Sequence, residues 1–343
     1  MSMLLSPVVI ASLNLKNRVV MSPMRTYSVQ TGDGKLNPLH FAHYGARAVE
    51  QVGLVVIEVT AVEPNGRTTA RDLGLWNDEQ QKELKKLVDF LHDLGTKVGI
   101  QLGHAGRKAQ DSVNIVAPSE TAYNETTACP TKATEEKIQE IEAAFVKAAK
   151  RAKAAGVDMI EIQGANGFLI DEFLSPLVNQ RTDAYGGDLR KRYRFLHEIV
   201  TAIRHEYDGS LWVRLSLDDY VEEEEQNKLS DWQQVGQWLK EDGASCISVT
   251  TGGLLDKKPD YIYTGWQVPY ARAMKEKVAL PIAASGMLLD PKLCEYILET
   301  RQADLILEAH VFEQNASWIA DATEEFHEGT GSYADFERHL DEI

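Results

Sequence analysis

Short apolar runs recur along the chain, and amphipathic stretches of helical period separate them. This alternation is typical of βαβ units around a parallel sheet. Eight runs predict strands: Val19–Ser22, Leu54–Val59, Lys97–Leu102, Met159–Gln163, Leu211–Ser216, Cys246–Thr250, Pro281–Ala284 and Asp304–Leu307. Because eight strands fit a closed barrel, the pattern predicts an α/β fold, a single (β/α)8 TIM barrel over about residues 17–320.

Segments outside the barrel wall are also predicted from the pattern. Two outer helices show strong amphipathic spacing, at Asp78–Leu94 and Thr134–Ala155. Val8–Leu15 holds a turn-like pair between two apolar runs, which predicts a small N-terminal β-hairpin that plugs the barrel bottom. The sequence becomes polar from Glu324, and residues 321–343 are expected to form a C-terminal tail. Since no shift in composition divides the sequence, we expect one domain.

Composition narrows the possible partners. The 343 residues carry a formal net charge of −16, and nucleic acids and acidic membranes attract accumulated Lys and Arg, so neither partner is expected. No apolar run reaches the roughly 20 residues of a membrane helix, and the first ten residues lack a secretory signal, so we expect a cytoplasmic protein. The three cysteines match no zinc spacing, and no metal site is predicted.

Polar groups concentrate where the fourth predicted strand ends. Glu161-Ile-Gln163-Gly-Ala-Asn166-Gly-Phe168 runs from the strand into a glycine-spaced loop, and Arg181-Thr-Asp-Ala-Tyr-Gly-Gly follows shortly after it. In a TIM barrel, active sites are built at the carboxyl ends of the strands. Gln163 and Asn166 are therefore the first candidate site residues.

This segment resembles the active-site signature of the Old Yellow Enzyme family, the flavin-dependent ene-reductases, in its short bacterial, thermophilic-like subgroup. The similarity extends from about Leu4 to about Val311. Relatives normally carry histidine at the position of Gln163, histidine or asparagine at Asn166, and tyrosine at Phe168. The resemblance implies FMN as cofactor and NAD(P)H as a transient reductant. In that family, a His/His or His/Asn pair grips the substrate oxygen, the reduced flavin delivers hydride to the substrate, and the tyrosine protonates it.

The resemblance also implies a set of cofactor-binding residues. Gln101 matches a glutamine that hydrogen-bonds the pyrimidine edge of the flavin, and the segment His104–Lys108 after it is among the firmest matches. Arg214 matches an arginine under flavin N1 and O2, whereas the residues alone suggest an ion pair with a barrel carboxylate. The expected cofactor-binding residues are Ser22, Pro23, Met24, Val59, Gln101, Arg214, Gly286, Met287, Ala309 and His310.

The predicted phosphate site departs from the family pattern. TIM barrels often bind phosphate at the ends of the last two strands, and the loop that holds Gly286 and Met287 retains its glycine there. Relatives carry a Gly-Arg pair at the positions of Ala309 and His310. A permanently charged guanidinium group is thus replaced by a neutral histidine, which offers one hydrogen-bond donor. Glu308 adds a nearby negative charge. We therefore expect weakened FMN affinity.

The expected catalytic residues are Gln163, Asn166, Tyr27 and Arg25. By resemblance, Tyr27 contacts the substrate, and Arg25 replaces a redox-tuning cysteine. Phe168 has no proton to give, and loss of a general acid typically removes a factor of roughly 100 to 10,000 in rate. We expect poor reduction of ordinary enones, with the reduction of quinones, nitro compounds or oxygen relatively spared. The expected substrate is a quinone, a nitro compound or an activated alkene that is held through its oxygen. The alternative is a non-catalytic barrel that has lost FMN binding and serves as a binding or scaffold protein.

The C-terminal segment bears on assembly. Tyr333-Ala-Asp-Phe-Glu-Arg338 is similar to a subgroup tail whose arginine enters the site of the neighbouring subunit. The resemblance implies that Arg338 contacts substrate in trans and that the protein is a homodimer or homotetramer. From the residues alone, a charged and frayed terminus is the competing interpretation.

Overall fold

A closed barrel of eight parallel strands forms the core of the protein. The computed structural model describes residues 2–112, 114–222 and 226–328. Its strands are β1 (Val8–Ile10), β2 (Leu13–Leu15), β3 (Val19–Met21), β4 (Leu54–Ala61), β5 (Lys97–Gly103), β6 (Val116–Ala117), β7 (Thr131–Lys132), β8 (Met159–Gly164), β9 (Ser210–Ser216), β10 (Cys246–Thr250), β11 (Ile282–Ala284) and β12 (Leu305–Glu308). Around the barrel the order is β3, β4, β5, β8, β9, β10, β11 and β12. The predicted fold class is confirmed.

Helices connect successive barrel strands. They are α1 (Pro38–Val49), α2 (Asp78–Asp93), α3 (Glu135–Ala155), α4 (Leu169–Leu174), α5 (Leu189–Glu206), α6 (Leu229–Glu241), α7 (Val268–Lys277), α8 (Pro291–Glu299), α9 (His310–Gln314) and α10 (Trp318–Glu328). Local sequence sets some of their limits: the side chain of Asn77 caps the start of α2, and Gly156 ends α3 at φ +90°. The two helices predicted from amphipathic spacing are confirmed to within one residue at each end.

The N-terminal hairpin closes one end of the barrel. β1 and β2 pair antiparallel, as predicted. Ile10, Leu13 and Leu15 are buried, and they pack with the first residues of barrel strands, such as Met159 and Cys246. Since apolar side chains fill the amino ends of the strands, the opposite end of the barrel is left for polar groups.

The predicted limit between barrel and tail, at residue 320, falls inside α10. Trp318 and Ile319 on that helix are buried, and Trp318 Nε1 donates to the carbonyl oxygen of Leu289 at 2.7 Å. The start of α10 is therefore packed on the barrel, and Arg338 lies outside the described residues. None of the helices in the described ranges is long and apolar enough to cross a membrane.

Candidate active site

A buried polar cluster lies inside the barrel. Gln101 and Glu161 are register partners on β5 and β8, and Gln101 Nε2 donates to Glu161 Oε2 at 2.6 Å. Ser248 Oγ donates to the other carboxylate oxygen at 2.5 Å. All three side chains are buried. These bonds hold the Gln101 amide in one orientation, as a residue that presents an amide to a ligand requires.

Arg214 lies beside this cluster and keeps an unused donor. It is the register partner of Gln163 on β8 and of Ser248 on β10. Its Nη1 is buried without a hydrogen-bond partner. Burial lowers the pKa of Arg214, and the carboxylate of Glu161 opposes that shift. Glu161 thus favours the charged form of Arg214. Nη1 remains available, and a buried donor left unpaired costs about 1–3 kcal/mol.

A cavity of about 230 Å³ opens from Arg214 toward the last two strands. It is lined by Ser22, Arg214, Thr250, Trp266, Gln267, Ser285, Gly286, Met287, Leu307, Glu308 and Ala309. Five of the predicted cofactor-binding residues are in this set: Ser22, Arg214, Gly286, Met287 and Ala309. The structure therefore brings together residues from four strand ends that the sequence separates by almost 300 positions.

Trp266 and Gln267 line the cavity and were missed by the sequence analysis. Gln267 Nε2 donates to Thr251 Oγ1 at 2.7 Å, and Ser285 Oγ donates to Gln267 Oε1 at 2.6 Å. The indole Nε1 of Trp266 is buried without a partner. Gly265, at φ +84°, lies in the turn just before these two residues. The sequence Gly265-Trp266-Gln267 is the only signal along the chain that could have indicated their role.

Glu308, the last residue of β12, occupies the opposite part of the cavity wall. Its carboxylate accepts from the backbone N–H of Leu288 at 2.6 Å and from that of Ala309 at 3.3 Å. Its backbone oxygen accepts from the N–H of Ser22 at 2.7 Å, and the residue is 2% exposed. We call Gln101, Glu161 and Arg214 the arginine end, and Leu288, Glu308 and Ala309 the glutamate end.

Arg25 lies between two aromatic rings at the mouth of the barrel. Its guanidinium carbon is 5.3 Å from the ring centroid of Tyr27 and 5.4 Å from that of Phe168, which are cation–π distances. Arg25 Nη1 donates to Thr68 Oγ1 at 2.7 Å and lies 3.8 Å from Asp72 Oδ2. The structure thus places Arg25 and Tyr27 next to Phe168, with part of the arginine charge balanced by Asp72.

Gln163 and Asn166 differ in how far their side chains are already bonded. Gln163 Oε1 accepts from the N–H of Ala165 at 3.2 Å, which orients its amide. Asn166 has φ +57°, and its Nδ2 donates to the carbonyl of Gly252 through a long 3.4 Å contact. Its backbone N–H donates to Ser216 Oγ at 2.9 Å. Both amides can donate to an oxygen, and neither can become cationic.

The segment after β5 stabilises the site rather than lining the cavity. Lys108 Nζ donates to the carbonyls of Asn166 and Gly253, both at 2.9 Å. Arg107 Nη2 donates to the carbonyl of Leu254 at 2.7 Å. These bonds join the loops that follow β5, β8 and β10. The segment His104–Lys108, which matches the family closely, thus holds three loops of the site together through hydrogen bonds.

A buried glutamate supports the same segment. Glu172 Oε1 accepts from the N–H of Arg107 at 2.9 Å. Burial raises the pKa of Glu172 to about 8, against the opposing charge of Arg107. Burial also lowers the pKa of Lys108 to about 8. His104 contacts Glu63 across 3.1 Å, so it too is bonded to protein groups.

The remaining predicted residues lie around the barrel mouth. Val59 is buried near the end of β4, and a side chain at Gly103 would meet it at 2.6 Å. Pro23 and Met24 follow β3, and Met24 packs against the core. His310 begins α9. The roles of these residues in cofactor binding stay predictions.

The two ends of the cavity fit FMN unequally. At the arginine end, the unpaired Nη1 of Arg214 is suited to an acceptor edge that gains negative charge on reduction, as a flavin pyrimidine edge does. At the glutamate end, the amides of Leu288 and Ala309 already donate to a carboxylate. Phosphate binds to free backbone amides, so this end does not fit it as it stands.

Solved structures share the fold. Morphinone reductase is 25% identical and superposes with a TM-score of 0.83, over 94% of this chain and 90% of that one. A 2-naphthoyl-CoA reductase is 23% identical, with a TM-score of 0.89 over 94% of this chain and 52% of that one. The second likeness concerns the barrel alone.

Sequence relatives cover nearly the whole chain. The NADPH dehydrogenase of Bacillus subtilis (strain 168) is 45% identical over 303 residues, 88% of this chain and 89% of the relative. That of Halalkalibacterium halodurans is 44% identical over 319 residues, 93% of each. The model of the NADH:flavin oxidoreductase / NADH oxidase family matches residues 3–328. The chain therefore belongs to this family and is a flavin oxidoreductase of the Old Yellow Enzyme type.

Proposed function

We propose that the protein is an FMN-dependent NAD(P)H oxidoreductase that acts on quinones, nitro compounds or activated alkenes and is weak on ordinary enones. The observation that carries the proposal is the buried Nη1 of Arg214, which has no partner and lies on a cavity shared by predicted cofactor residues. The fixed amide of Gln101 supports it. A bound flavin supplies hydride transfer, and the relatives named NADPH dehydrogenase favour NADPH as the reductant.

The chain's own residues determine what can be reduced. Gln163 and Asn166 can each donate an N–H to a substrate oxygen, but without a positive charge they polarise it less than imidazolium would. Phe168 is 4% exposed and offers no proton, so the enolate left when an enone accepts hydride has to take its proton from elsewhere. An oxygen anion formed from a quinone takes its proton readily from water. Quinones are therefore favoured over enones.

Steady-state turnover of flavin-loaded protein tests the substrate preference. With NADPH as reductant, we expect kcat for a quinone to exceed that for a cyclic enone by at least about 100-fold, the factor that a missing general acid removes. Oxidation of NADPH without an added substrate gives the background due to oxygen. Equal turnover of enone and quinone would refute the proposed preference.

A second candidate, a binding or scaffold barrel without flavin, is favoured by one observation. The glutamate end holds a carboxylate on the amides where phosphate is expected. A visible absorbance spectrum of the purified protein, before and after FMN addition and desalting, separates the candidates. A flavin band that survives desalting supports the oxidoreductase, whereas protein that cannot be reconstituted with any flavin supports the scaffold.

Assembly and location complete the proposal. We propose a cytoplasmic homodimer or homotetramer in which Arg338 of one subunit contacts substrate in the neighbouring site, on the resemblance of the segment around it. Arg338→Ala is expected to raise the substrate KM, with Arg301→Ala, an exposed arginine of the described surface, as matched control. An unchanged KM for Arg338→Ala, or a monomer by light scattering, would contradict this part.

A further inference from the structure

We propose that the cavity recognises a flavin by its ring and ribityl chain and not by its phosphate, so that riboflavin binds at least as tightly as FMN. This inference rests on the proposed function, because it concerns the same flavin site. Its basis is Glu308, a carboxylate placed where the ends of β11 and β12 would otherwise present donors to an anion.

The contacts of Glu308 use the donors that a phosphate needs. Each of its two carboxylate oxygens accepts one backbone N–H, from Leu288 at 2.6 Å and from Ala309 at 3.3 Å. Backbone N–H groups at strand and helix ends are the usual ligands of phosphate in such barrels. A phosphate could reach these N–H groups only by displacing the carboxylate, which is 2% exposed and therefore closely surrounded by protein.

The loop before these donors is also fixed in place. The carbonyl of Gly286 accepts from the N–H of Gly265 at 2.7 Å, and Ser285 Oγ lies 2.7 Å from Val249 O. A side chain at Gly286 would meet the backbone nitrogen of Gln267 at 3.0 Å, so the loop lies tightly against its neighbour. Reorganising this loop to free the amide of Leu288 would break contacts on several sides.

A flavin that ends in a hydroxyl group meets the same wall without this conflict. A hydroxyl can donate to a carboxylate oxygen that already accepts one N–H, since such an oxygen has further acceptor capacity. The buried Nε1 of Trp266 has no partner and lines the same cavity, so it is a donor for a ribityl hydroxyl oxygen. Arg214 and the residues that contact the ribityl chain therefore recognise the flavin, and both contacts are available to riboflavin as well as to FMN.

Equilibrium titration of the apoprotein, followed by quenching of flavin fluorescence, tests the inference directly. For the wild-type protein we expect the Kd for riboflavin to be equal to or below that for FMN. FMN that binds tenfold more tightly than riboflavin would overturn the inference while leaving the proposed function intact. If neither flavin binds, the proposed function fails as well, so the two failures are distinguishable.

Variants assign the effect to Glu308. Glu308→Leu frees both backbone amides, and we expect FMN to bind at least about tenfold more tightly than in the wild type, with riboflavin changed by less than about threefold. Glu308→Gln keeps an acceptor and removes the charge, so we expect FMN affinity to rise by a smaller factor. This variant replaces Glu308→Leu in the test if the leucine variant does not fold.

Asp304→Asn is the matched control for Glu308→Gln. Asp304 directly precedes β12, at the opposite end of that strand, where it bonds Lys275 and the N–H of Ile282. The same carboxylate-to-amide change there should leave the ratio of the two Kd values unchanged. If the ratio of the Kd for riboflavin to the Kd for FMN is the same in both Glu308 variants as in the wild type, Glu308 does not exclude phosphate. The same conclusion follows if Asp304→Asn shifts this ratio as much as the Glu308 variants do.

Discussion

The arginine end and the glutamate end of the cavity differ in what their donors contact. At the arginine end, Nη1 of Arg214 has no acceptor, and the neighbouring Gln101 is held by Glu161. At the glutamate end, the amides of two residues are already satisfied by Glu308. The arginine end thus has a donor available for a ligand, whereas the backbone donors of the glutamate end are already bonded to a protein carboxylate.

The difference indicates which part of a cofactor the fold still requires. Unpaired buried donors destabilise a protein unless a ligand satisfies them, so their persistence at the arginine end favours a bound heterocycle there. A carboxylate on backbone amides satisfies donors that a phosphate would otherwise satisfy. This contrast is the basis of our proposal that the barrel keeps flavin chemistry without relying on the phosphate.

The largest expected effect comes from restoring a proton donor at Phe168, beside Arg25 at the mouth of the barrel. Phe168→Tyr should raise kcat for an enone by roughly 100-fold or more, because a general acid contributes that factor. Quinone turnover should change by less than about threefold, since its oxygen is protonated from water. Steady-state rates on flavin-loaded protein check both. An unchanged enone rate would place the limitation elsewhere, for instance in weak polarisation by Gln163.

The arginine itself is the next test. Arg214→Met should weaken binding of riboflavin and FMN alike by about 10- to 100-fold, the value of one or two charge-assisted hydrogen bonds. Urea unfolding of the apoprotein shows whether the variant is folded. Tight flavin binding by a folded variant would contradict the role given to the arginine end.

A third test concerns the pH dependence of the segment that ties the loops of the arginine end. Burial raises the pKa of Glu172 from 4.5 to about 8, so the native state keeps a proton that the unfolded chain releases above about pH 4.5. The contribution of Glu172 to the free energy of unfolding should therefore fall between about pH 4.5 and 8, by up to about 1.4 kcal/mol per pH unit.

Glu172→Gln should remove that fall, because the amide does not titrate. Urea midpoints at pH 5 and pH 8 measure it, with Glu140→Gln as control, since Glu140 has a largely exposed side chain. The wild type should lose stability between the two pH values and the Glu172 variant should lose less. Identical pH dependence in the wild type and Glu172→Gln would contradict the assignment.

The smallest expected effect concerns Arg25. A positive charge near a flavin favours its reduced, anionic form, but Asp72 lies 3.8 Å from the guanidinium and weakens this influence. Arg25→Met should lower the flavin midpoint potential by about 10–20 mV, equivalent to less than about 1 kcal/mol for a two-electron couple. Arg25→Lys should stay near the wild-type value. A fall as large in the lysine variant would show that packing, and not charge, is responsible.

The sequence predicted the barrel well because apolar runs mark its strands directly. The run at Cys246–Thr250 is a strand with the predicted limits, and the N-terminal hairpin forms as expected. The predicted limit between barrel and tail falls inside α10, whose buried face begins at Trp318, before the polar stretch that starts at Glu324. Packing on the barrel, which local sequence does not record, stabilises that helix.

Some candidate site residues followed from their residue type, and others followed only from the family resemblance. An arginine within an apolar strand identified Arg214, but nothing in the sequence specified that its Nη1 would lack a partner. Glu308 was recognised as a nearby negative charge, whereas its bonds to the amides of Leu288 and Ala309 depend on how two loops meet. Such contacts follow from tertiary structure and leave no pattern along the chain.

The measurement that tests the central claim most directly is anaerobic reduction of the flavin-loaded protein by NADPH, followed through the visible flavin absorbance. The account predicts that the absorbance is lost on addition of NADPH and returns when a quinone is added. A protein that binds flavin but is not bleached by NADPH or NADH would contradict it.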